Sequence, residues 1–349
     1  LHDQTRRQRQ MCIRDRLVHS GTASTSSANA GNYTINNLSG TNISNGTGLA
    51  SNYTLTGGTH DFTIEKRVLS VSGTRLYDAT TNASSSDLST HSNLIGSQTL
   101  SLSGTGSIVD KNVQLNKVVS VGSLSLADGS NGGLASNYTL TGGTHRLSVT
   151  QRPLVATLSR QYDGTTTALG TSISSFDALQ GGENLTMNGT GTAASLNVSN
   201  AIAMSNNGDL ALSNGTGALG GLASNYRLDS TVLNITKRVL NSTGNKIYDA
   251  STDVTAGSVT LANIIEGETL NHSGTATLTS ANAGDYTITN LSGISLSDGS
   301  GVASNYTLTG GTHNFTVNRR QLIATLDRQY DGTTGALGSD LSSFDDLQN

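Results

Sequence analysis

The chain has 349 residues, of which Leu, Ile, Val and Phe make up 77, and a formal net charge of −4. That apolar content lies near the composition at which chains fail to collapse, yet so small a charge supplies no self-repulsion to hold the chain open. No run of 18 apolar residues offers a membrane span, and no basic block outside the first 16 residues offers a nucleic-acid surface.

Residues 1–16 differ from everything that follows. They carry five Arg, the only cysteine, Cys12, and no alternating pattern. An apolar h-region and a small-residue cleavage site are both missing, so the segment does not read as a signal peptide. It resembles a translated adapter junction, above all at Met11-Cys12-Ile13-Arg14-Asp15-Arg16, and we take it as non-native, with a basic arm as the alternative. Without it the charge is −7, from 15 Lys and Arg against 22 Asp and Glu, and no cysteine remains to form a disulfide or a metal site.

From residue 17 onward two markers alternate. The first is Leu49-Ala50-Ser51-Asn52-Tyr53-Thr54-Leu55, restated at 134–140 and 302–308 and more loosely at 222–228; the second is Tyr-Asp, at Tyr77, Tyr162, Tyr248 and Tyr330. Tyrosines of one kind recur every 80–88 residues. A block of that size can hold one small core, whereas a solenoid repeat of about 20–45 residues cannot stand alone. The sequence therefore divides into the C-terminal half of a repeat at 17–65, whole repeats at 66–150, 151–236 and 237–318, and the N-terminal part of another at 319–349. The neighbours of this segment read as further repeats on both sides.

Each repeat opens on a strand-like run, such as Val68-Leu69-Ser70-Val71 or Leu154-Val155-Ala156-Thr157-Leu158. Each closes on alternating apolar residues: Phe62/Ile64, Leu147/Val149, Leu233/Ile235 and Phe315/Val317. Gly, Asn and Asp separate short runs between them, and no helical stripe intervenes. About seven such strands per repeat predict an all-β chain of tandem antiparallel β-sandwich (Ig-like) modules of about 85 residues in an elongated array. A parallel β-helix is the rival fold, but no shorter period nests inside the repeat. Inward positions on either side of Glu65-Lys66-Arg67 have opposite parity, so the chain must change sheets there, and the glycine-free hinge predicts a stiff rod. Repeats opening at 66 and 237 share Lys-Arg-Val-Leu, while those at 151 and 319 share Arg-Gln-Tyr-Asp-Gly-Thr-Thr. Alternation of this kind would limit strand exchange between neighbours.

No residue pattern points to catalysis or to a cofactor. Asp78, Asp163, Asp249 and Asp331 each follow a tyrosine and read as turn-closing residues, since one carboxylate per repeat provides neither an acid–base pair nor a ligand cluster. His60, His145 and His313 recur in Thr-Gly-Gly-Thr-His, one to a repeat and missing after Tyr226, and read as strand-edge residues, too few to hold zinc. The runs 128–133 and 298–301 fit no calcium-loop pattern and read as glycine turns. Asn-x-Ser/Thr triplets are frequent in a chain this rich in Asn, Ser and Thr, as chance alone provides.

The Tyr-Asp-Gly marker, Asp110-Lys111-Asn112-Val113, Ala281-Asn282-Ala283-Gly284-Asp285-Tyr286 and the Ala-Ser-Asn-Tyr-Thr-Leu closers together resemble the YDG repeat of filamentous haemagglutinin-type bacterial surface adhesins. The chain departs from that pattern at Ala79 and Ala250, where the family favours glycine. The resemblance implies an extracellular protein, secreted or on the bacterial cell surface, exported with an outer-membrane secretion partner. It also implies that neighbouring repeats of the same chain are the principal partners, with host or matrix glycans or proteins as further ones. The function expected is a non-catalytic stalk segment. A glycan- or matrix-binding role of the modules themselves and an accessory region of a secreted hydrolase are the alternatives.

Overall fold

The structure is a computed structural model that describes residues 16–35, 37–288, 291–345 and 347–348. The presumed junction therefore lies outside the described residues except for Arg16. Among the described residues every helical segment is a single three-residue 3₁₀ turn, and the rest of the regular structure is strand. No helix is long and apolar enough to cross a membrane. The chain divides into two compact units, residues 1–152 and 153–349.

In the second unit the repeat 237–318 shows the module plan. Its opening strand Asn241–Ile247 pairs antiparallel with Val259–Ala262 on one side and parallel with the closing strand His313–Asn318 on the other. Gly284–Thr287 completes this four-stranded sheet. A second sheet joins Asp253–Thr255, Leu270–Thr277 and Ile294–Asp298. Val254, Ala276 and Ile294 from the second sheet pack with Phe315, Val317 and Val259 from the first. The alternation that marks these strands in the sequence is thus the burial of one face of each sheet.

The repeat 66–150 in the first unit has the same plan, with Ser70–Leu76 parallel to Arg146–Thr150 and antiparallel to Thr90–Ser92. Repeat 151–236 joins more of its strands in one six-stranded sheet, in which Arg152–Gln161 lies beside Tyr226–Thr236. The expectation of wholly antiparallel modules needs correction in repeats 66–150 and 237–318, where the opening and closing strands run parallel. A chain that enters and leaves each module in the same direction must run its first and last strands the same way, with the whole module as the crossover between them. At the Lys66–Arg67 step the chain does change sheets, since Asp61–Ile64 pairs with Gly31–Thr34 while Ser70–Leu76 joins the next module.

Leu147, Val149, Leu233, Ile235, Phe315 and Val317 are buried as the alternation requires. Phe62, expected to face inward, is instead 45% exposed, because no opening strand lies beside its own among the described residues. Five of the ten tyrosines are fully enclosed: Tyr77, Tyr138, Tyr162, Tyr226 and Tyr306.

Two polar devices fix turns in the modules, the first at every Tyr-Asp and the second only in the repeats that carry Thr-Gly-Gly-Thr-His. The Asp of each Tyr-Asp accepts the backbone N–H two residues on, as in Thr80 to Asp78 (3.0 Å), Ser251 to Asp249 (3.0 Å) and Thr333 to Asp331 (2.9 Å). A cation three residues earlier, Arg75, Arg160, Lys246 or Arg328, pairs with that Asp and reaches across the turn to backbone carbonyls. Lys246 holds the Asp249 carboxyl below the usual carboxylate range, and the Thr333 backbone N–H does the same for Asp331. The residue after the Asp is left-handed in all four copies: Ala79 at φ 63°, Gly164 at 75°, Ala250 at 61° and Gly332 at 75°. These turns therefore tolerate alanine at some backbone cost.

The recurrent histidines are the second device. His145 Nε2 donates to Leu140 O (2.9 Å), which leaves Nδ1 to accept Val71 N–H (3.3 Å). His313 spans Leu308 O (2.8 Å) and Ser242 Oγ (2.9 Å) in the same way. Each ring ties the Thr-Gly-Gly-Thr turn to the opening strand, so these residues, which stand at the start of the closing strand, are also buried latches. His145→Ala takes the imidazole acceptor from the buried Val71 N–H and leaves Leu140 O only the Gly143 N–H, and it is expected to cost about 1–2 kcal/mol. An unchanged urea midpoint would remove this role.

Candidate functional site: the joint between consecutive repeats

The Ala-Ser-Asn-Tyr marker forms a 3₁₀ turn over Ala303–Asn305. Asp298 Oδ1 accepts the Ala303 N–H at its start (2.7 Å), and Asp128 does the same for Ala135 (2.7 Å). Asn45 and Asn214 do so for Ala50 and Ala223, each at 2.8 Å. The carboxylates of the two glycine-rich runs considered for calcium are therefore turn caps. Among the described residues no three His, Cys, Asp or Glu side chains converge on a common point.

With the turn fixed, its asparagine points at the preceding repeat. Asn305, 0% exposed, accepts Val198 N–H on Oδ1 (2.8 Å) and donates from Nδ2 to Asn197 Oδ1 (2.9 Å). The first unit repeats the contact atom for atom: Asn137 accepts Ala30 N–H (2.8 Å) and donates to Asn29 Oδ1 (2.9 Å). Asn29 lies in the Ser-Ala-Asn-Ala-Gly loop, where Tyr33 donates its hydroxyl to Asn29 O (2.6 Å). That bond accounts for a tyrosine in this loop, and Tyr286 makes its equivalent to Asn282 O (2.6 Å). Asparagine suits the lock because one side chain both donates and accepts, matching a backbone N–H and an amide oxygen side by side.

The tyrosine that follows completes the joint. Glu268 accepts the Tyr306 hydroxyl of its own repeat (2.6 Å) on one oxygen and the Tyr162 hydroxyl of the preceding repeat (2.5 Å) on the other. The two rings meet edge to face, centroids 5.4 Å apart at 76°. Tyr306 Oη also accepts the Ile265 N–H (3.2 Å), so the turn that carries Glu268 is anchored to the same phenol. Gly164, left-handed after Asp163, packs here too, where a Cβ would stand 3.1 Å from Ile265. Within other repeats the same position carries Glu183, bound by Tyr226 (2.8 Å), and Gln98, bound by Tyr138 (2.5 Å). The sequence reading missed this residue, although Gln98, Glu183 and Glu268 recur at an 85-residue interval, each just after a glycine turn and two residues before a leucine.

Burial, followed by the hydrogen bond to Glu268, raises both phenols, Tyr306 from 10.0 to about 12. A raised phenol stabilises the fold fully below pH 10 and loses that contribution as pH climbs toward 12, because the unfolded phenol ionises first. At about 1.4 kcal/mol per pKa unit the loss from Tyr306 amounts to about 2–3 kcal/mol. Urea midpoints measured from pH 9 to 12 are expected to fall over this window, and to fall less in Tyr306→Phe; equal slopes would refute the assignment.

The fold and this site define a tandem all-β repeat protein whose recurring markers serve the contact between neighbours. The YDG domain occurs twice in it, matched at residues 65–145 and 233–313. No curated protein matches the chain.

Proposed function

We propose that this chain is a non-catalytic stalk segment of a secreted or surface-anchored bacterial adhesin of the filamentous haemagglutinin type, with its modules acting as Ig-like sandwiches in an extended extracellular array. The observation that carries the reading is the joint itself. Side chains that recur in step, Asn305 and Tyr306 of one repeat with Glu268 beside them and Tyr162 of the repeat before, meet one another between repeats. A binding or catalytic module would spend its most regular side chains on a ligand; a stalk spends them on keeping one module in register with the next. Without cysteine in the repeats, that register rests on enclosed hydrogen bonds.

Small-angle scattering of the whole chain is expected to give the maximum dimension of an extended array, and a compact profile would end the stalk reading. A glycan array probed with the same chain is expected to show no ligand. Saturable binding there would instead favour modules that themselves recognise glycan.

A further inference from the structure

We propose that the parallel pairing of opening and closing strands is a mechanical clamp, through which a complete repeat resists tension drawn along the chain. In repeat 237–318 the pairing has two tiers. Arg238–Val239 lies parallel to Tyr306–Thr307, and Asn241–Ile247 lies parallel to His313–Asn318. Leu240, between the tiers, donates its N–H to Thr307 O (2.8 Å), and Tyr248, just past them, donates to Asn318 O (2.9 Å). Repeat 66–150 has the same two tiers, Arg67–Val68 with Tyr138–Thr139 and Ser70–Leu76 with Arg146–Thr150. Its matching bonds run from Leu69 N–H to Thr139 O (2.8 Å) and from Tyr77 N–H to Thr150 O (2.9 Å).

Strand direction decides how these bonds carry a load. The chain enters a repeat at the N-terminal end of the opening strand and leaves it at the C-terminal end of the closing strand. In a parallel pair those points lie at opposite ends of the ladder, so tension slides one strand along the other and strains the evenly spaced bonds together. In an antiparallel pair they would lie side by side, and the bonds would open one after another. Six positions stand in register from Ser242 opposite His313 to Ile247 opposite Asn318. Phe315 and Val317, both buried, must also leave the core before the strands can slide. Load reaches the clamp directly, because Lys237 alone separates the preceding strand Tyr226–Thr236 from Arg238–Val239. The strands from Asp253–Thr255 to Ile294–Asp298 lie between the clamped ones in sequence and carry no tension until the clamp gives way. This deepens the stalk reading and rests on it only for the source of the tension.

The test stretches single molecules of the whole chain, carrying Cys12→Ser, between handles on two cysteines placed at exposed positions of repeat 237–318. Thr243→Cys with Asn318→Cys loads the paired strands lengthwise, and Thr243→Cys with Thr309→Cys loads them crosswise from one end. With the ladder bonds sharing the load only in the first case, its mean unfolding force is expected to be about threefold or more that of the second. The lengthwise pull is expected to release the chain between residues 243 and 318 in one step, about 250 Å when extended. Equal forces in the two directions would overturn the clamp, and so would lengthwise release in several small steps. A compact scattering profile would end the stalk reading and leave this force ratio unchanged, whereas equal forces would end the clamp and leave the stalk reading standing.

Discussion

Glu268→Ala is expected to destabilise residues 153–349 by about 3–5 kcal/mol, since it strips two enclosed phenols of their only charged acceptor and leaves a void between two repeats. Tyr162 and Tyr306 come from different modules, so the loss falls on the coupling between them as well as on either core. Glu268→Gln keeps the shape and one acceptor oxygen, and Gln98 already fills the equivalent position in repeat 66–150. A smaller cost, about 1–2 kcal/mol, is expected of it. Urea unfolding followed by tyrosine fluorescence separates the two variants, and an alanine variant with the parent midpoint would show that the carboxylate is incidental.

Gly244→Ala is expected to cost about 3 kcal/mol or more, through crowding with no room to relax. The added Cβ would drive into the Ser258 carbonyl oxygen and stand 2.7 Å from the Phe315 ring. Neither neighbour can retreat: Ser258 closes the 3₁₀ turn before Val259–Ala262, and Phe315 sits in the strand paired to Gly244 itself. Gly73 occupies the same place in repeat 66–150, against the Asp87 carbonyl, and Gly73→Ala is expected to behave alike. Thermal unfolding of each variant checks the point, and parental melting temperatures would mean that the turn moves freely.

Local signals made the repeat, its strand-rich character and the inward faces of Leu147/Val149 and Leu233/Ile235 legible in the sequence, because two-residue alternation and glycine turns act over short distances. The parallel pairing of Asn241–Ile247 with His313–Asn318 was not legible. Its partners lie some 71 residues apart, and a strand carries no local mark of which direction its neighbour runs. At the joint, Asn-Tyr and Tyr-Asp were evident as recurring pairs, but reading each as internal to its module hid their shared partner. Glu268 and the basic residue two before the Tyr of each Tyr-Asp carry no local signal that separates them from other polar residues. Only the 85-residue recurrence set them apart, and repetition by itself does not say what a residue touches.

The amide lock at Asn305 has a physical consequence for where such an array can work. Its groups are uncharged, its carboxylate neighbour binds neutral phenols, and the asparagine is out of reach of water. Dissolved ions weaken attraction between exposed opposite charges and have little purchase on contacts of this kind. The spacing between neighbouring modules should therefore hold from dilute buffer to brine.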